Sequence, residues 1–339
     1  MATLSNNYPT LADLSKQMDG QGNVVTDIVE ILNDTNQILL DMPFYEANNG
    51  TKHLTTIRSG IPSATWRRLY QGVQPSKATN TQVEDTCGML EAWSEVDSKL
   101  IDLSGNPARF RLNEARAFLE GMNRQMATAV FYGNTNADPE QFHGLAPRFN
   151  DLSAENGGQI INAGGSGSDN TSIWMVVWSE RTVHGIYPKG TKAGLGREDK
   201  GKTTKEVSDG SLYDVHREKF NWDCGLSVRD WRYVVRIANV DVSAMNAGTT
   251  DMFALLRQGY WALKQRQIGG GKACIYANSD VLEALDAQTT PTSATSGGST
   301  TPGANRITTR EVEGREVMSY RGMPLRECDA LINTEAVVA

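Results

Sequence analysis

The stretch from Pro107 to Tyr132 is the longest helical pattern in the chain, and it constrains the fold more than any other. Leu112, Ala115, Phe118, Leu119, Met122, Met126 and Ala129 step by three or four residues, so they fall on one face. Asn106 can cap the helix and Pro107 suits its first turn. About 26 residues at 1.5 Å each give a rod of roughly 39 Å. Gly121, inside the rod, costs about 1 kcal/mol relative to alanine. The rod runs into FYGNTNADPEQFHGLAP, 131–147, where Gly133, Asn134, Asp138-Pro139, Gly144 and Pro147 predict a stiff polar loop.

With 339 residues the chain can hold two or three domains with cores of their own. Hydrophobic residues are 39% and charged residues 22%, an ordinary globular balance. A net charge of -7 argues against a basic stripe that grips nucleic acid. Cys87, Cys224, Cys274 and Cys328 show no CxxC spacing and read as reduced thiols. His53, His143, His184 and His216 form no HxxxH pair, so neither a metal nor a cofactor is expected. The start, MATLSNNYPT, lacks the features of a signal peptide, and no apolar run approaches the ~18 residues of a membrane span.

Along the chain, TLADLSKQM and the spacing of Val25, Ile28, Val29, Leu32 and Leu39 predict two N-terminal helical pieces. TKHLTTIRS and ATWRRLYQGV flank the turn GIPS, which predicts a long hairpin within 46–80. That hairpin has few apolar residues, and a lone two-stranded hairpin is marginal in water. CGMLEAWSEVDSKL, 87–100, alternates as a half-buried strand, with Leu90, Ala92, Ser94 and Val96 on one side. IWMVVW, 173–178, reads as a buried strand, and 217–242 as two strands around Asp223-Cys224-Gly225. MFALLRQGYWALKQRQ predicts a helix, ACIYA a strand and SDVLEALDA a short helix. Residues 289–305 read as a surface loop, and REVEGREVMSYRG and MPLRECDAL as closing strands. The fold class is α+β with no regular βαβ alternation.

One motif points to chemistry. GREDKGKT, 196–203, fits the G-x-x-x-x-G-K-[ST] pattern of a phosphate-cradling loop. That loop needs a buried strand before it and a helix after it. IYPKGTKAGL before it is turn-like, and TKEVSDGSLYD after it has no helical stripe. A solvated charged loop is the preferred reading, and a P-loop-like nucleotide hydrolase the alternative. Gly269-Gly270-Gly271-Lys272 reads as a helix stop. No catalytic residues stand out, and the chain is expected not to be an enzyme.

The order of these parts resembles the major capsid protein of tailed bacteriophages, with the Hong Kong 97-type fold. Tyr132-Gly133-Asn134, Pro139 and Gly144-Leu145 resemble the end of that family's spine helix. YRGMPLRECDALINTE, 320–335, resembles its C-terminal strands, and FNWDCGLSVRDWRYVVRIANVD is similar to a strand pair of a short-tailed-phage branch. The resemblance implies an N-terminal arm at 1–45, an extended loop at 46–80, and a peripheral domain at 81–245 containing the spine helix 107–132. It also implies an axial domain at 246–325 and a C-terminal strand at 326–339. Residues 173–242 then stand as peripheral strands moved ahead of the axial domain, a permuted order.

The implied function is a structural, self-assembling subunit of an icosahedral shell around a double-stranded DNA genome. A cellular compartment shell of the same fold is a further alternative. The implied partners are copies of itself in hexamers and pentamers, a separate scaffolding protein, a portal protein, a decoration protein, and packaged DNA in non-specific contact. No membrane is implied; the place is the virion, after assembly in the host cytoplasm. Arg58, Trp66, Arg67, Arg68 and Leu69 are the expected intersubunit contacts. Lys52 and Lys77 are expected to be solvated rather than crosslinking.

Overall fold

A computed structural model describes residues 8–9, 36–263, 271–289, 307–312 and 315–339. The predicted helix TLADLSKQM, most of the second N-terminal helix and most of the loop 289–305 lie outside the described residues. In chain order the elements begin α1 (Ile38–Asp41), β1 (Phe44–Glu46), β2 (Lys52–Gly60), β3 (Thr79–Asp97), α2 (Ser98–Leu103) and α3 (Pro107–Tyr132). There follow β4 (Ile160–Asn162), β5 (Asn170–Trp178), β6 (Val183–Tyr187), β7 (Gly196–Glu206), β8 (Leu212–Val228) and β9 (Val234–Asp241). The chain closes with α4 (Val242–Asn246), α5 (Met252–Ala262), β10 (Lys272–Ala277), α6 (Ser279–Thr289), β11 (Ile307–Val312), β12 (Arg315–Tyr320) and β13 (Met323–Glu327). Two compact units result. The smaller takes in 89–127 and 194–223, the larger 35–88, 128–193 and 224–339.

In the smaller unit α3 covers a sheet of β3, β8 and β7. Ala115, Met122 and Phe220 form the core, with Leu90, Ala92, Phe118, Leu119 and Trp222 packed on it. Phe118 stacks on Phe220 with ring centroids 5.6 Å apart. The alternation read from 87–100 holds: Ser94 and Val96 are buried while Glu91 and Trp93 are exposed. The strand stops earlier than expected, because Asp97 accepts from the Lys99 amide at 2.8 Å and caps α2. At the start of α3, Asn106 Oδ1 accepts from the Arg109 amide at 3.2 Å. Leu112 does not join the stripe. It is exposed, and Phe110 goes inward against Val96, Leu100 and Ile101.

The larger unit is built on β5, whose nine residues are all buried. β9 and β10 pair antiparallel with β5, and β13 pairs parallel with β10. β12 and β11 continue the sheet from β13. Ile173, Met175 and Val177 pack with Val235 and Ile237, with Phe253 and Leu256 of α5, and with Val281 and Leu285 of α6. Removing that apolar surface from water is the main stabilising term here, about 25 cal/mol per Å².

One reading of 173–242 needs correcting. β8 runs straight through Asp223-Cys224-Gly225. Gly225 serves close approach rather than a turn: a Cβ there meets the Thr86 carbonyl oxygen at 2.6 Å. The break falls instead at Trp231–Tyr233, where Asp230 accepts from the Arg232 amide at 3.0 Å. The stretch also divides between the units, with β7 and most of β8 in the smaller and β5 and β9 in the larger.

Candidate assembly surface

The extended loop differs from the hairpin read in the sequence. β2 pairs antiparallel not with 64–73 but with the start of β3, from Lys52↔Thr86 to Gly60↔Thr79. Thr79, Thr81 and Val83 supply β-prone residues opposite β2, whereas Pro62, Gly72 and Pro75 interrupt the nearer run. Residues 61–78 are therefore a long loop, exposed at every position. Ile61 is 88% exposed, Trp66 100% and Leu69 88%. Arg67 and Arg68 lie between those two side chains in the chain and are likewise exposed. Arg67 Nε donates to the Gln71 carbonyl at 3.1 Å, and Ser76 Oγ to the Ser63 carbonyl at 2.8 Å. The structure thus places Trp66, Arg67, Arg68 and Leu69 together at the loop tip. Arg58 stands apart on β2, opposite Asn80.

The root of the loop is fixed. Asn48 clasps Leu54, donating to its carbonyl and accepting from its amide, both at 2.8 Å. Lys52 pairs with Glu84 at 3.0 Å. Below them His53 meets His184 edge-on with ring centroids 5.4 Å apart, and Tyr45 meets His184 at 5.2 Å. Burial pushes the His184 pKa down to about 4, helped by the charges of His53 and Arg229. His53 is lowered by burial and by Arg229, against the opposing pull of Asp85. Asp85 is buried, accepting from Arg148 at 2.8 Å and from Ser227 Oγ at 2.9 Å.

Arg148 belongs to the loop after α3, and this loop is folded tightly. The Gly144 amide donates to the Gly133 carbonyl at 2.8 Å and the Leu145 amide to the Val130 carbonyl at 2.9 Å, so the chain turns back to satisfy the helix end. A Cβ at Gly144 meets the Ala129 carbonyl oxygen at 2.6 Å, and one at Gly133 meets the Phe142 carbonyl oxygen at 2.5 Å. Arg148 also donates to the carbonyls of Gly144, His143 and Leu226. At the same helix end, buried Arg236 donates to Glu335 at 2.8 Å and to the Phe149 carbonyl at 2.8 Å. Tyr132 and Ser172 donate to the same carboxylate. These clamps were not read as such in the sequence. The one signal for Arg236 is its place as the single charge inside the apolar run VVRIANV.

The phosphate-loop candidate is not a loop. GREDKGKT forms part of β7, paired with β8 from Gly196↔Asn221 to Glu206↔Leu212. Its Lys202 is in an ion pair with Asp214 at 3.0 Å. A strand whose backbone is committed to a ladder presents no nest of free amides to a phosphate. The charged residues are structural: Arg111 bridges Asp199 and the buried Glu218, which Arg197 also holds at 2.8 Å. Among the described residues no cluster of His, Cys, Asp or Glu fits a metal ion, and no helix is long and apolar enough to cross a membrane.

The sequence profile of the major capsid protein GP7 family matches residues 19–339. The chain belongs to that family. This capsid protein is also similar to the chain in the near-atomic structure of bacteriophage Epsilon15. The two share 38% identity over 100% of this chain and 99% of that one, with a TM-score of 0.76. It is more distantly similar to the SrpI encapsulin of Synechococcus elongatus PCC 7942, at 12% identity over 69% of this chain and 97% of that one, TM-score 0.46. The capsid of Myoviridae phage XM1 matches at 11% identity over 64% of this chain and 96% of that one, TM-score 0.42. No curated protein sequence matches. The fold is the Hong Kong 97-type capsid fold, and the capsid protein is a structural subunit of an icosahedral phage shell.

Proposed function

We propose that the extended loop is the principal clasp of this capsid protein on a neighbouring copy, with Trp66, Arg67, Arg68 and Leu69 at the contact and Arg58 on its stem. The observation that carries this reading is a fully exposed tip on a firmly anchored root. Large apolar side chains presented together in water mark a binding surface. Guanidinium forks add directional, bidentate contacts to carboxylates. Each exposed ion pair is worth only about 0–1 kcal/mol, but closed symmetry repeats it at every copy.

On this reading the smaller unit and its helix act as the peripheral domain. The core of β5, β9, β10, α5 and α6 acts as the axial domain around the centres of hexamers and pentamers. The shell encloses double-stranded DNA, touched without sequence preference, and assembles in the host cytoplasm. The partners are a scaffolding protein, a portal protein and a decoration protein. The protein's role is architecture rather than catalysis.

The double variant Arg67→Ala, Arg68→Ala tests the clasp. The melting temperature of the free subunit should stay almost unchanged while few or malformed shells form at ordinary salt. Normal shells in normal yield, or a large loss of subunit stability, overturn the reading.

A further inference from the structure

Gly121 lies in the interior of α3, where glycine is a poor helix former. Packing among the described residues does not call for it, since none of them lies within 4 Å of the place its Cβ would occupy. What the missing side chain leaves is a notch of about 300 Å³, lined by Ala92, Ala117, Phe118, Gly121, Met122 and Gln125. Five of these six are apolar or glycine. The notch sits at the bottom of the ~300–1,000 Å³ range of ligand pockets and lacks their convergent polar groups, so it suits one bulky side chain better than a small molecule. The sheet contributes only Ala92 of β3, and the β2 ladder ends at Thr86, so among the described residues β3 beyond that point presents an edge on that side.

The same chain carries a bulky side chain with no surroundings of its own, Trp66, at 100% exposure. Arg67 and Arg68 follow it, and from Ala47 to Val83 the loop bears Lys52, Arg58, Arg67, Arg68 and Lys77 with no Asp or Glu. Beside Gly121 in the helix, Glu120 adds a half-buried carboxylate. Apolar knob and apolar notch, cationic flank and neighbouring acidic residue, are thus complementary in two respects. We infer that the notch at Gly121 on one copy receives the Trp66 side chain of a second copy's loop, with a loop arginine on Glu120. This rests on the loop being an intersubunit clasp, and adds where it docks. The glycine is then kept for assembly at the expense of the free helix.

Three variants and a crosslink test it. Gly121→Ala should raise the melting temperature of the free subunit, and Gly121→Leu should leave the subunit folded but cut shell yield at least tenfold by filling the notch. Trp66→Ala should cut yield to a similar degree. Subunits bearing Thr65→Cys, which keep Trp66, mixed with subunits bearing Gln125→Cys should give a disulfide-linked dimer in shells on oxidation, above the background of either alone. If Trp66→Ala assembles like the parent, the clasp reading falls and the docking site with it. If Trp66→Ala fails but Gly121→Leu makes shells normally, or the crosslink is absent from shells, the clasp stands and the notch assignment is overturned.

Discussion

Two long loops in this capsid protein have similar raw material and opposite fates. Residues 61–78 and 133–148 both mix Gly and Pro with polar residues, and both carry arginine and large apolar side chains. In the second, Phe142 and Leu145 are buried and Arg148 is held by a carboxylate and three carbonyls. In the first, Trp66 and Leu69 stand in solvent and Arg67 holds only a nearby carbonyl of its own loop. The difference lies in what each loop returns to. Gly133 and Gly144 let backbone meet backbone at the end of α3, where carbonyls need donors. The loop at 61–78 leaves a two-stranded ladder whose hydrogen bonds are already made, so nothing at its base recruits it. One loop completes its own subunit; the other, on the proposed reading, is left for a neighbour.

The largest expected effect is at the arginine that folds the second loop. Arg148→Ala strands Asp85, almost fully buried, without its charge partner, and should destabilise the free subunit by about 3–5 kcal/mol. Denaturant unfolding would read it, and a loss below about 1 kcal/mol would erase the contrast with Arg67→Ala, Arg68→Ala, where surface changes stay within about 0.5 kcal/mol. Next is Gly144→Ala, whose Cβ falls 2.6 Å from the Ala129 carbonyl oxygen and 2.9 Å from that of Val130. Backbone must move, and a loss of about 1–3 kcal/mol should follow. The same measurement on Gly72→Ala, with nothing within 4 Å, should show almost no steric cost.

A smaller effect concerns the loop's root. His184 is neutral when folded, with a pKa of about 4 against an ordinary value of 6.5. Above pH 6.5 both folded and unfolded chains leave it uncharged. Below that, the unfolded chain takes up a proton the folded one refuses, so stability falls until the folded residue titrates near pH 4. The slope from this one group is at most about 1.4 kcal/mol per pH unit. His184→Phe should flatten the pH dependence of unfolding across that window; an unchanged profile would show that this histidine is not buried neutral.

Much of this was legible in the sequence where burial imposes a period. The span of α3 follows from Asn106, Pro107 and the apolar stripe, and β5 from the run IWMVVW. What escaped were choices made by distant contacts. β2 had a near candidate partner and a far one, and local propensity does not decide between them. Gly225 resembled a turn because a glycine spared a clash with Thr86 looks the same in sequence as one at positive φ. GREDKGKT matched a motif whose meaning depends on the helix that must follow it. The loop tip was readable in part, because Trp66 and Leu69 sit among residues that offer no core. Arg236 and Glu335, 99 residues apart, gave no local sign of pairing.

The central claim is that 61–78 is ordered by a neighbour and 133–148 by its own chain. Backbone hydrogen exchange in free subunits and in assembled shells, followed for both loops in one experiment, tests it most directly. The account predicts that amides of 133–148 are protected in both states, while those of 61–78 exchange freely in the subunit and become protected in the shell. Equal protection of 61–78 in subunit and shell would contradict it.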